Sequence, residues 1–272
     1  MSNVAANDPP KGEAYFREML STFQTGLDLA MRFSARCDGK RVEQRHGWAS
    51  WLFLRLCVVG RSLDRLAAFK TKLDEGEANT LDHSSIAAVT RNIIEAALMF
   101  FYVSEPGVSD DEWGLRKDIL DLHDCLTRYR VFKSWKDEKE MKSLRESAAQ
   151  IKDRIRNHKL MSTFDAEKQK QLLGGQQLYL NGLRSVVKRA GWDPDRFDGV
   201  YAYLSVHSHS APTSFYRTEK HQINFSKPSD YQFGLAAFSL EHADQSIRAA
   251  CKRLIDVFPE LFPEIKTKKI EA

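Results

Sequence analysis

Two pairs of side chains have the types and spacing to do chemistry. Arg91 and Glu95 lie one helical turn apart inside SSIAAVTRNIIEAALMFFYV, which runs from Ser84 to Val103. Ser205 and His209 are one turn apart inside YAYLSVHSHS. Residues four apart share a helix face, so each pair presents its two groups together. A guanidinium grips anions, while an imidazole or carboxylate moves protons.

On an exposed helix an Arg/Glu pair at this spacing contributes little. Here the neighbours are Ile86, Val89, Ile93, Ile94, Ala97, Leu98, Phe100 and Phe101. The expectation is an ion pair buried among them, which needs further hydrogen bonds to offset desolvation. It is either a structural bridge or the floor of a site.

A third arginine, Arg116, precedes His123 by two turns on the helix opened by Ser109-Asp110-Asp111-Glu112, and Tyr129 and Arg130 follow. These side chains line the same cavity or form a solvated face, the face being the simpler reading. Brought together, Arg91, Glu95, Arg116, Ser205 and His209 make a buried polar pocket for an anionic ligand, a nucleotide or RNA. In that arrangement both arginines hold phosphate, His209 acts as acid or base, and Glu95 orients it. Attack by serine would also require an oxyanion hole, which the sequence does not display. Whether the protein is an enzyme stays open. The alternative is a network that fixes helix register in a non-catalytic interaction or sensor module, with the charged helix 137–159 as its partner surface. His207 and His209 have no third ligand at recognisable spacing, so neither metal nor cofactor is expected.

The elements that must position these groups are helical. Apolar residues recur at helical spacing from Gly12 to Arg36 and from Arg41 to Lys72, where Gly60 predicts a close helix crossing. Glu75 to Asp82 reads as a polar loop, and His83-Ser84-Ser85 as hydroxyl caps for the Arg91 helix. The stretch 133–175 is highly charged, with only Met141, Leu144, Ala148, Ile151 and Ile155 in a narrow stripe, which predicts an exposed arm of a helical hairpin. Its acids and bases are interleaved, which argues against a nucleic-acid patch. Asp193-Pro194 opens the Ser205 helix, 210–228 reads as an ordered loop, and Ser229 caps a long final helix. No strand pattern emerges. The fold class is all-α, an irregular bundle of about seven to nine helices. The expected organisation is a disordered start at 1–11, one helical domain at 12–260 and a mobile tail at 261–272.

Composition narrows the setting. A net charge of +4 permits an anionic partner but falls short of a dedicated nucleic-acid binder. Cys37, Cys57, Cys125 and Cys251 form no close pair, so reduced thiols in the cytoplasm are expected. MSNVAANDPPKGE has no basic start followed by an apolar run, so no signal peptide is expected. The apolar runs near 51–60 and 93–103 are short and broken by Arg55 and Glu95, so no membrane span is expected.

Three segments carry a resemblance: AAVTRNIIEAALMFFYV, SDDEWGLRKDILDLHDCLTRYR and YAYLSVHSHSAPTSFYR. They resemble a helical bacterial domain-of-unknown-function family, number five-six-seven-seven, over roughly Trp48 to Arg217. The family pattern pairs Arg-x3-Glu on an early helix with Ser-x3-His on a late one. Arg91/Glu95 and Ser205/His209 match it, and Arg116 matches a further recurrent arginine. The resemblance implies a fold and a residue set but no reaction; a link to phage defence or toxin-like ribonucleases is analogy. Arg41-x4-His46 has the spacing used by ribonucleases of the HEPN class. There the motif starts a late helix, whereas here it opens the second, and it is not taken as an active site.

Overall fold

The structure, a computed structural model, describes residues 12–39, 43–68, 70–73, 76–209 and 211–263. The expected disordered start, Arg41 of the Arg-x4-His motif, and all but the first three residues of the tail lie outside the described residues. In chain order the helices are α1 (Glu13–Cys37), α2 (Gln44–Ala67), α3 (His83–Val103), α4 (Asp110–Trp135) and α5 (Glu138–Arg156). They continue with α6 (Ala166–Leu173), α7 (Leu183–Arg189), α8 (Pro194–Ser208), the single turn α9 (Pro212–Phe215) and α10 (Asp230–Val257). The class is all-α, as the periodicity predicts. One small departure lies between α2 and α3, where β1 (Lys70–Leu73) pairs antiparallel with β2 (Gly76–Asn79).

The hairpin corrects the expected extension of α2 to Lys72. Along α2 the buried phase runs through Ala49, Phe53, Leu56, Gly60, Leu63 and Ala67. On that phase the sequence next supplies Lys70 and Thr71, neither of them an apolar core residue. With nothing to bury, the helix stops, and the backbone is satisfied by a ladder instead.

The chain divides into two compact units. One contains α1, α2, the hairpin, α3, α8, α9 and α10; the other contains α4 to α7. In the first unit α3 is the core helix. Ile86, Ile93, Ala97 and Phe100 are buried, and Phe53 of α2 meets Phe100 with ring centroids 5.8 Å apart. Across from α10, Thr90 Oγ1 donates to the Ser239 carbonyl at 3.3 Å. Each large apolar side chain removed from water here contributes about 1.5–3 kcal/mol. Among the described helices α3 is the one long and apolar enough to cross a membrane, with a mean hydropathy of 1.5 over its best window. Two-thirds of that window is buried, which is the environment of a core helix.

The start of α3 is capped differently from expectation. The Asp82 carboxylate accepts from the Ser85 N–H at 2.9 Å, so an acid one residue upstream does the work assigned to the hydroxyls. In the second unit the predicted stripe of Met141, Leu144, Ala148, Ile151 and Ile155 is buried on α5. Leu144, Ala148, Ile151 and Ile155 share a core with Leu115, Ile119, Leu122 and Cys125 of α4.

The predicted crossing at Gly60 is present, since a Cβ there would lie 2.6 Å from Leu27 Cδ1. A tighter approach, without a signal in the sequence, occurs at Gly26. A Cβ on Gly26 would lie 2.1 Å from Asp244 Oδ1, and that carboxylate accepts from Arg248 Nε at 2.9 and 2.7 Å. Gly26→Ala gains about 1 kcal/mol of helix propensity but must push a buried charge off its partner. The expected result is a net loss of about 1–2 kcal/mol in urea unfolding. A variant as stable as the parent would contradict the close approach.

Candidate functional site

Both motif pairs belong to the first unit, and the structure brings them together. Asp193 caps α8, accepting from the N–H groups of Asp195 at 2.9 Å and Arg196 at 2.8 Å. Pro194 occupies the first turn, where its missing N–H costs nothing. Helix α8 packs along α3 and lays Tyr201, Ser205 and His209 on one face, with His209 as the residue that closes the helix.

Arg91 is the hub. Its Nε donates to Glu95 Oε1 at 3.0 Å, and its Nη1 donates to Ser205 Oγ at 3.1 Å. Nη1 also lies 2.8 Å from His209 Nε2, and Nη2 donates to Tyr201 Oη at 2.8 Å. The guanidinium sits over the Tyr201 ring, 4.7 Å from its centroid. Tyr201 Oη in turn donates to Glu95 Oε1. Burial and the hydrogen bond to Glu95 raise the Tyr201 pKa, so the phenol stays protonated and donates. A guanidinium has no acceptor, so His209 Nε2 must be the acceptor in its contact, which places the imidazole proton on Nδ1.

Two expectations need correction. The cluster is open to water rather than buried, with the side chains of Arg91 and Glu95 24% and 48% exposed. The apolar neighbours bury the opposite faces of α3, and the pair lies at the margin. Glu95 also does not orient His209; its partners are Arg91 and Tyr201, and Arg91 fixes the imidazole.

Residues 46–224 match a family described as a family of unknown function, DUF5677. The chain belongs to that family. The matched span holds Arg91, Glu95, Arg116, Tyr201, Ser205 and His209. No curated protein and no solved structure matched the chain.

Tyr201 is the member of the cluster that sequence reasoning missed. The signal was available, because the spacing that joins Ser205 to His209 extends one turn back to position 201. Arg116, in the second unit, has a different setting. It is buried, and its Nη2 donates to Glu105 Oε2 at 2.8 Å while its Nε donates to Glu112 Oε1 at 2.9 Å. Arg189 Nη1 adds a bond to Glu105 Oε1 at 2.6 Å. Arg116 is thus part of an alternating network of charges whose carboxylates balance it.

The two histidines of His207-Ser208-His209 diverge. His207 is buried, with Nε2 3.3 Å from Tyr231 Oη and its ring against Tyr203. The His83 ring lies 6.5 Å away, and His83 Nδ1 is 3.4 Å from Gln232 Nε2. Among the described residues no three of His, Cys, Asp and Glu are grouped to hold a metal. Burial lowers the pKa of both His83 and His207; at His207 the facing His83 and His221 add to the shift, while Asp82 opposes it at His83. His242 on α10 is pushed down to about 4, chiefly by burial.

Removing the hub should loosen α8. Arg91→Ala deletes bonds to four side chains and should cost about 2 kcal/mol, a fall of roughly 4–8 °C in Tm. Amide exchange should accelerate along 195–208; unchanged protection there would mean the network does not hold α8. The neutral histidines set a second expectation. Their folded pKa values lie below the ordinary 6.5, so protonation favours unfolding. Stability is complete above about pH 6.5 and falls as pH drops from there toward about 4. Urea midpoints between pH 8 and 4.5 check this, with His207→Asn expected to flatten the decline; a midpoint constant across the range would refute it.

Proposed function

We propose that the Arg91, Glu95, Tyr201, Ser205 and His209 cluster binds the phosphate of an anionic ligand, a nucleotide or RNA. One observation carries the reading: four polar side chains from two helices converge on one cation at the solvent margin. A purely structural ion pair has no need of water access. An arriving phosphate would take the remaining Nη2 hydrogen of Arg91 and compete for the Nη1 bonds held by the neutral acceptors Ser205 and His209. His209 then offers its Nδ1–H to a developing negative charge or leaving oxygen. Glu95 Oε2, outside the bonds that hold Oε1, is placed to take a proton from water. On this reading Arg91, Glu95, Ser205 and His209 carry binding and any hydrolysis, and Tyr201 positions Arg91. Arg116, already balanced by two carboxylates, has no part in it.

A specific observation favours a second reading. Four of the five N–H donors of Arg91 are already satisfied by the protein itself. That is what a latch between α3 and α8 requires. The protein would then be a non-catalytic interaction or sensor module of a bacterial stress or phage-defence system, using the charged outer face of α5. Either role suits the cytoplasm, where the four free, buried cysteines stay reduced.

Titration with inorganic phosphate and with uridine 5′-monophosphate separates the two, read at the His209 imidazole by NMR. The expected outcome is a saturable shift with a Kd of about 1 mM or tighter, lost in Arg91→Gln. No shift for either anion, with Arg91→Gln lowering Tm alone, would leave the latch.

A further inference from the structure

The segment that follows His209 holds three cations outside any ion pair among the described residues and three aromatic rings turned to water. Phe215, Tyr216 and Phe225 are 49%, 75% and 50% exposed. Arg217, Lys220 and Lys227 are exposed as well, and none is in an ion pair among the described residues. The one acid between Phe215 and Lys227 is Glu219. Exposed rings on a monomer have a solvation cost, and unpaired cations beside them narrow what could cover them. An apolar protein surface would leave three charges uncompensated, whereas a single-stranded polynucleotide supplies flat bases and phosphates together.

The Phe225 end of the segment is anchored to the rest of the unit. The Phe225 carbonyl accepts from the Leu81 N–H at 3.2 Å, and Asn224 N–H donates to Gln232 Oε1 at 2.9 Å. The Phe225 ring stacks on His83 at 6.0 Å and 24°, which backs one face and leaves the other to solvent. His221 stacks on Tyr231 at 3.9 Å and 12°. A platform fixed before binding loses little entropy when it is used.

Its position ties it to the Arg91 cluster. Phe215 follows His209 by six residues, at most about 20 Å of chain. From Phe225 the ring contacts run through His83 to His207, in steps of 6.0 and 6.5 Å, and His207 lies two residues before His209. We propose that Phe215, Tyr216 and Phe225, with Arg217, Lys220 and Lys227, form a stacking platform for single-stranded nucleic acid. The platform leads a phosphate of the strand to Arg91 and His209. The proposal rests on the anion-binding reading of that cluster and extends it by naming the substrate class.

Fluorescence anisotropy with labelled oligouridylate, oligothymidylate and a duplex of equal length tests it on the full chain. Single strands should bind, and the duplex should bind at least tenfold more weakly. For three phosphate contacts the logarithm of affinity should fall against the logarithm of salt with a slope of about −2. Tyr216→Ala and Phe225→Ala should each weaken binding about tenfold, and joint replacement of Arg217, Lys220 and Lys227 by Gln should flatten the slope. Tyr216 is exposed enough to report without harm to folding. Equal binding of duplex, no binding of either single strand at low salt, or aromatic variants with parental affinity would each overturn the platform. A mononucleotide shift at His209 without strand binding removes the platform alone. Ring-dependent strand binding without that shift breaks its link to Arg91.

Discussion

A guanidinium keeps its charge at any pH a cell maintains, so its five N–H groups must find acceptors wherever the backbone places them. Arg91 sits on a helix whose other faces are occupied by the core of its unit. It cannot rotate away without pulling Ile93, Ile94 and Phe100 out of apolar contact. The acceptors therefore have to come to it. Ser205, His209 and Tyr201 do so from α8, and Glu95 does so from one turn along α3. The tautomer of His209 follows from satisfying one cation, and the same bonds tie Tyr201, Ser205 and His209 of α8 to α3.

The second unit solves the same problem by a different route. Arg116 is fully enclosed, and enclosure demands full neutralisation, which Glu105 and Glu112 supply. Arg91 is only partly enclosed, and its neighbours are one carboxylate and three neutral groups. The difference in compensation matches the difference in water access. It is also why the two arginines, alike on the page of sequence, support different roles.

Much of this is legible in the sequence. Helical periodicity gave the class, the α5 stripe named its own buried residues, and the four-residue spacings named both halves of the Arg91 cluster. The degree of exposure was not legible, because it depends on which side of α3 the neighbouring helices leave uncovered. Tyr201 was passed over because aromatic residues on an apolar helix read first as core. The hairpin formed by 70–73 and 76–79 is not legible because its residues lack the β-branched alternation that marks a strand. The segment 210–228 reads in sequence as no more than an ordered loop, because exposure is not recorded in a string of letters.

The packing of α3 has a consequence for synthesis. Its apolar surface is closed in part by α10, and the bond from Thr90 to the Ser239 carbonyl spans 149 positions of chain. During translation the most water-averse segment of the protein leaves the ribosome long before the helix that covers it. At about 5–20 residues per second that interval is on the order of ten seconds. Until α10 arrives, the apolar face of α3 that it covers has no partner, so the core of the first unit cannot close before its last helix is made.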